Sequence, residues 1–250
     1  MISLENRIAV VTGAASGIGR AIAIQLAEYG ARVGIGDLDV EGGQETVKLI
    51  ENGNGTAAAF HLDVTDLQSV AAFRAAVQSA FGVPSIVVNN AGWDQGMPFM
   101  QTTPDFWAKV VGINYLGVVS MCHAFLEPMI AAGLEGRIVN IGSDAGRVGS
   151  MGETVYAGAK GAVIGFTKSL AREMARHKIN VNCVCPGPTD TPLFYAQPQK
   201  VREAIVRVTP HRRLGQPREV ASAVVYLASD EASFVTGQVL SVSGGLAMAG

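Results

Sequence analysis

The chain has 250 residues, 48% of them hydrophobic and 16% charged, with 30 glycines and a formal net charge of −2. That balance suits a deeply buried sheet with tight turns and excludes a disordered or fibrous chain. It offers no electrostatic footprint for nucleic acid and no basic amphipathic stretch for a membrane surface, and no uninterrupted apolar run reaches the roughly 20 residues that span a bilayer, so the expected partner is a small molecule.

Short apolar runs alternate with longer helical patterns along the whole chain. The runs are Ile8 to Thr12, Arg32 to Gly36, Ala57 to Leu62, Ile86 to Asn89, Arg137 to Ile141, Ile179 to Val184 and Val239 to Val242. This rhythm predicts repeated βα units. Without an internal repeat or a linker, residues 1–250 read as one domain. Because βαβ crossovers are right-handed, the expected fold is α/β: a doubly wound parallel sheet with helices on both faces and a ligand crevice at the carboxyl ends of the strands. The first strand begins near Arg7, which leaves no space for an export signal and predicts a cytoplasmic protein. Three cysteines are too few for a disulfide framework, and Cys183 and Cys185 are expected as buried, reduced thiols. The four histidines are scattered, so no metal site is expected.

The first strand leads into Thr12-Gly13-Ala-Ala-Ser16-Gly17-Ile18-Gly19, a glycine turn that opens a helix running from Arg20 toward Tyr29. Glycines there let the backbone approach a pyrophosphate, and the helix N-terminus supplies amide donors and a positive dipole end. The spacing G-x-x-x-G-x-G differs from the usual dinucleotide fingerprint. Asp37 ends the second strand about twenty residues on, where a carboxylate accepts hydrogen bonds from an adenine-ribose diol and repels a 2′-phosphate. No Arg or Lys occurs at Ala14, Ala15, Gly36 or Leu38, so the expected cofactor is NAD and not NADP. Asp37 can also serve as a turn former, and Asp63, after the third strand, can bond the adenine or cap a turn. Asp66 and Thr103-Pro104 are helix starts.

Further along, Asn89-Asn90-Ala91-Gly92 follows the fourth strand, Asn114 lies in the helix after Phe106-Trp107, and Ser143 follows the fifth strand. Tyr156 and Lys160 sit at i and i+4, on one helix face, where an ammonium beside a phenol favours the phenolate. The expectation is a Tyr156 pKa lowered from its ordinary value of about 10 toward neutrality. Pro186 and Gly187 follow the sixth strand, and the 188–215 segment, with no simple βα reading, is the expected substrate lid. Its Arg202, Arg207, His211, Arg212 and Arg213 can meet phosphates of a nucleotide-bearing thioester, or form a solvated face or a subunit contact.

These motifs, taken in order, resemble the short-chain dehydrogenase/reductase family over nearly the whole chain. The resemblance implies a Rossmann-type fold with a seven-stranded sheet and a catalytic tetrad of Asn114, Ser143, Tyr156 and Lys160. It further implies that Gly13, Ser16, Gly17, Ile18, Gly19, Asp37, Asp63, Val64, Asn90, Ala91, Gly92, Pro186, Gly187, Thr189 and Thr191 line the dinucleotide together with Tyr156 and Lys160. Tyr156 would exchange the alcohol proton, Ser143 would bond the reacting oxygen, Lys160 would hold the nicotinamide ribose, and Asn114 would hold a relay water. A homotetramer is implied too, with the Asn114 and Tyr156 helices at one interface and Val239 to Gly250 at another.

Within the family, the Ser143 to Tyr156 run together with Asn90-Ala-Gly-Trp93-Asp94 is similar to 2-hydroxycyclohexanecarboxyl-CoA dehydrogenases, which oxidise a cyclic hydroxyacyl thioester with NAD. Trp93 and Met151 are the residues expected to line a ring pocket. Free secondary alcohols and 3-oxoacyl thioesters stand as alternative substrates, and an idle dinucleotide sensor as an alternative function. A hydrolase is disfavoured because no G-x-S-x-G elbow occurs.

Overall fold

The computed structural model describes residues 2–248. Seven strands, β1 (Ile8–Thr12), β2 (Arg32–Asp37), β3 (Thr56–His61), β4 (Ile86–Asn89), β5 (Arg137–Ile141), β6 (Asn180–Pro186) and β7 (Val239–Val242), form one sheet in the order β3-β2-β1-β4-β5-β6-β7. All neighbours pair in parallel. β1, β4 and β5 are buried from end to end. Strands enclosed on both faces need no polar alternation, which is why they stand out as mostly apolar runs. The chain winds outward from β1 to β3 and then returns to place β4 on the other side of β1. That reversal opens a crevice beyond the carboxyl ends of β1 and β4.

Helices α1 (Gly17–Glu28), α2 (Val40–Asn52) and α10 (Pro217–Ala228) contribute Ile22, Leu26, Val47, Ile50, Val220 and Val224 to the core on one face of the sheet. On the other face, α3 (Leu67–Phe81), α5 (Gly117–Ala131) and α7 (Thr154–Met174) contribute Val70, Phe73, Phe125, Met129, Val163 and Ala171. Each face therefore has its own hydrophobic core, as a doubly wound domain requires. A short helix, α4 (Pro104–Val111), continues through a π-helical turn (Gly112–Leu116) into α5. The continuous helix Pro104–Ala131 has 28 residues, and an 18-residue stretch of it reaches a mean hydropathy of 1.4, long and apolar enough to cross a membrane by length and composition. Here Val118, Met121, Phe125 and Met129 of that helix are buried in the core beneath the sheet.

Several features differ from the sequence reading; β3, for one, runs Thr56–His61 and not Ala57 to Leu62. α1 begins at Gly17 and not at Arg20, because the positive φ of Gly17 turns the backbone directly into the helix. β6 continues to Pro186, since Cys185 and Pro186 still pair with Ser241 and Val242. The 188–215 segment is not irregular: it holds α8 (Pro192–Tyr195), started by the Thr191 side chain accepting from Phe194 N–H, and α9 (Gln199–Val208). A parallel bridge between Thr189 and Gly215 closes its base. Another short helix, α6 (Ala145–Val148), precedes α7. Ala249 and Gly250, the end of the expected second interface, lie outside the described residues.

Candidate active site

The glycine turn is stitched into the switch point by its neighbours. Gly13 and Gly17 have φ of +65° and +54°, and a Cβ on Gly13 would come within 2.8 Å of Ala91 Cα. A Cβ on Gly19 would collide with the Gly13 carbonyl. Asn90 Nδ2 donates to the carbonyls of Thr12 (2.9 Å) and Gly13 (3.0 Å), while Thr12 Oγ1 accepts from the amides of Asn90 and Ala91. The bare backbone between Gly13 and Gly19, at the N-terminus of α1, fits a pyrophosphate. Ser16 occupies the N-cap position, exposed and with no cap bond from its hydroxyl, and Ile18 packs against the core. Thr191 approaches from the lid side, its methyl 3.4 Å from where a Gly17 Cβ would stand.

Asp37 serves as the turn former that the sequence allowed. Its carboxylate accepts from the amides of Ala15 (2.8 Å) and Asp39 (3.0 Å), fixing the glycine turn against the end of β2. A carboxylate has about four acceptor positions, so capacity for a diol remains. Asp63 is likewise a turn residue: Thr65 gives it amide and hydroxyl bonds at 2.8 and 2.6 Å, and these hold its carboxyl below the usual range. Val64 is buried against Gly117. Arg20 is engaged by Thr46 and Glu45.

The four expected tetrad residues converge from three elements. Ser143 follows β5, Tyr156 and Lys160 stand in the first turns of α7, and Asn114 lies in the π-helical turn. Asn114 is not a solvated surface residue: it is fully buried, accepts from Trp93 N–H at 3.2 Å and donates to the carbonyls of Trp93 (2.7 Å) and Val110 (2.9 Å). A Cβ on Gly92 would lie 3.0 Å from Asn114 Oδ1 and 3.6 Å from Lys160 Nζ, so glycine lets these groups approach. Lys160 is 2% exposed, and its ammonium donates to Ile141 O at 2.8 Å.

The expected lowering of Tyr156 is not found. Lys160 Nζ stands 5.7 Å from the phenol ring centroid. Burial is the largest influence and pushes the phenol up; a hydrogen bond with Ser143 opposes it, while Glu153, Asp94 and Cys185 add to the rise. Burial also lowers Lys160 to about 8, only partly offset by Cys183 and Cys185. Those two sulfurs are buried free thiols 3.8 Å apart beneath Gly142.

Beyond β6, Gly187 is pressed against Ser243, where a Cβ would come within 2.6 Å. Pro186 ends the strand, and Thr189 Oγ1 donates to Gly187 O at 3.0 Å. A narrow cleft beside Tyr156 is lined by Asp94, Met97, Phe99, Phe106 and Glu153. Trp93 and Met151 do not line it. Trp93 packs edge-on against Phe106, with Lys109 Nζ 3.7 Å over its ring, and Met151 is 99% exposed on its turn. Asp94 and Glu153 stand in the two runs that carried the closer resemblance, but their place beside Tyr156 was not read from sequence, because a carboxylate carries no periodic signal. Of the lid arginines, Arg213 pairs with Glu219 through bonds of 2.7 and 2.6 Å and Arg202 lies 5.1 Å from the Tyr195 ring centroid.

Comparison with known proteins agrees with this architecture. Residues 13–247 match the family model described as enoyl-(acyl carrier protein) reductase. The chain is 44% identical to a Vibrio harveyi 3-oxoacyl-(acyl-carrier-protein) reductase, covering 99% of this chain and all 100% of the relative. It is 40% identical to a human (3R)-3-hydroxyacyl-CoA dehydrogenase, covering 98% and 97%. Among solved structures, levodione reductase superposes with a TM-score of 0.93 at 32% identity, covering 97% and 98%. An Agrobacterium tumefaciens protein assigned as a 2-deoxy-D-gluconate 3-dehydrogenase, with NADP bound, superposes with a TM-score of 0.89 at 34% identity, covering 98% and 97%. The chain belongs to the short-chain dehydrogenase/reductase family, oxidoreductases that use nicotinamide dinucleotides.

Proposed function

We propose that this protein is an NAD(H)-dependent dehydrogenase that interconverts a secondary alcohol and a ketone on an acyl thioester, with a cyclic 2-hydroxyacyl-CoA as its substrate. The observation that carries the reaction type is the grouping of Ser143, hydrogen-bonded to Tyr156, with Lys160, whose Nζ stands 5.7 Å from the Tyr156 ring centroid. When bound, the nicotinamide supplies the hydride acceptor or donor. Tyr156 Oη takes the hydroxyl proton in oxidation and returns it in reduction. Ser143 Oγ bonds the reacting oxygen, where negative charge grows as a carbonyl is reduced. Lys160 would hold the nicotinamide ribose and Asn114 a relay water, the roles that the family resemblance implies. Gly13, Ser16, Gly17, Ile18 and Gly19 take the pyrophosphate; Asp37, Asp63, Val64, Asn90, Ala91 and Gly92 the adenosine half; Pro186, Gly187, Thr189 and Thr191 the nicotinamide.

Asp37, with no Lys or Arg beside it at Gly36 or Leu38, favours NAD over NADP. A linear 3-hydroxyacyl thioester is the second reading, favoured by the relatives named as 3-oxoacyl reductase and 3-hydroxyacyl-CoA dehydrogenase. We assign the protein to the cytoplasm as a homotetramer. The test is nicotinamide reduction with NAD or NADP against 2-hydroxycyclohexanecarboxyl-CoA, linear 3-hydroxyacyl-CoA and cyclohexanol. Selective NAD reduction with the cyclic thioester is expected; reduction of NADP alone, or turnover of cyclohexanol alone, contradicts the cofactor or the substrate assignment respectively.

A further inference from the structure

Two carboxylates share the cleft with Tyr156. Asp94 comes from the segment after Gly92, and Glu153 from the turn that enters α7. Main chain joins these segments, for Met97 N–H donates to Gly152 O at 2.9 Å. The lid contributes as well: Gln197, between α8 and α9, donates from Nε2 to Glu153 Oε1 at 3.3 Å and so aims that carboxylate. The other cleft walls include the apolar side chains of Met97, Phe99 and Phe106, and among the described residues lining it there is neither Lys nor Arg. The nearby Lys109 ammonium lies over the Trp93 ring, and Lys160 Nζ is turned to Ile141 O. The wall beside Tyr156 is thus made of hydrocarbon and negative charge.

We propose that Asp94 and Glu153 are specificity-determining residues that admit a neutral acyl substituent, such as a thioester or ester, and reject the corresponding free carboxylate. The inference rests on Tyr156 being the acid/base of an alcohol dehydrogenase. Like charges brought together in a poorly solvated cleft weaken productive binding on the order of tenfold to a hundredfold, whereas an uncharged acyl group meets no such opposition. The same geometry reaches the chemistry, because both carboxylates oppose ionisation of the phenol while Ser143 favours it. Lys160, Glu153, Asp94 and Cys185 are the titratable groups around that phenol.

The experiment measures kcat/KM with NAD for ethyl 2-hydroxycyclohexanecarboxylate, the free hydroxy acid and cyclohexanol, in the wild type, Asp94→Asn, Glu153→Gln and the double variant. The wild type should prefer the ester to the free acid by about tenfold or more, and the double variant should shrink that preference by about tenfold through faster turnover of the acid. The single variants should each do so in part, and Asp94→Asn should shift the alkaline rise of alcohol oxidation to lower pH. A merely structural role would slow all three substrates alike. An ester-to-acid ratio unchanged across the four proteins overturns the proposal. Absence of turnover on every alcohol in all four would overturn the dehydrogenase reading itself, and this inference with it.

Discussion

Around Tyr156, opposing influences act on a single proton. The i, i+4 spacing of Tyr156 and Lys160 is legible in sequence because one helical turn fixes it. The balance of charge is not, since Asp94 reaches the cleft only through the fold and Glu153 only through the turn before α7. Burial raises Asp94 to about 6, and Glu153 reinforces the rise. The folded protein thus holds this proton more tightly than the unfolded chain, whose carboxyl keeps its ordinary value of 3.8. Stability from this group is complete below that value and is lost as pH rises through about 6. Asp94→Asn, which keeps the shape without the charge, should therefore raise Tm at neutral pH, with the gain disappearing near pH 4. Thermal melts of both proteins across that range check it; an equal gain at both ends contradicts the charge argument.

The strands were legible as elements, because β1, β4 and β5 are enclosed on both faces and leave mostly apolar runs. The helix that carries Asn114 was legible, but its π-helical turn was not, since a single extra residue per turn leaves no pattern in composition. α9 escaped because it is short, follows Pro198 and lies mostly exposed within the segment expected as the lid. At the π turn, Asn114 satisfies both backbone groups of Trp93 and so fixes the segment that leads to Asp94. Asn114→Ala leaves those groups unpaired and should cost about 2 kcal/mol of stability. A denaturant midpoint unchanged by the substitution would show that Trp93 finds other partners.

Over the whole molecule, the handedness of βαβ crossovers predicts the parallel sheet and the side on which ligands gather, and the strand order follows that rule. Buried polar ties between distant segments carry no sequence signature. Asn89 Nδ2 donates to Asn140 Oδ1 at 2.8 Å, and Asn140 Nδ2 donates to Thr167 Oγ1 at 2.9 Å, linking β4, β5 and α7. This ladder anchors the helix that bears Tyr156 to the middle of the sheet, so the cleft geometry is a property of the assembled core. The site's motif residues could be read one by one, whereas the cleft walls required the fold: Trp93 and Met151 lie outside the lining and Phe99 and Phe106 form it. The central claim is that Tyr156 moves the proton while the glycine turn and its surroundings hold the dinucleotide. The most direct measurement compares steady-state turnover and NADH binding by fluorescence in the wild type and Tyr156→Phe. The expected result is a fall in kcat of about a hundredfold or more with an NADH Kd within a few-fold of the wild type. A variant that retains near-normal kcat would contradict the account.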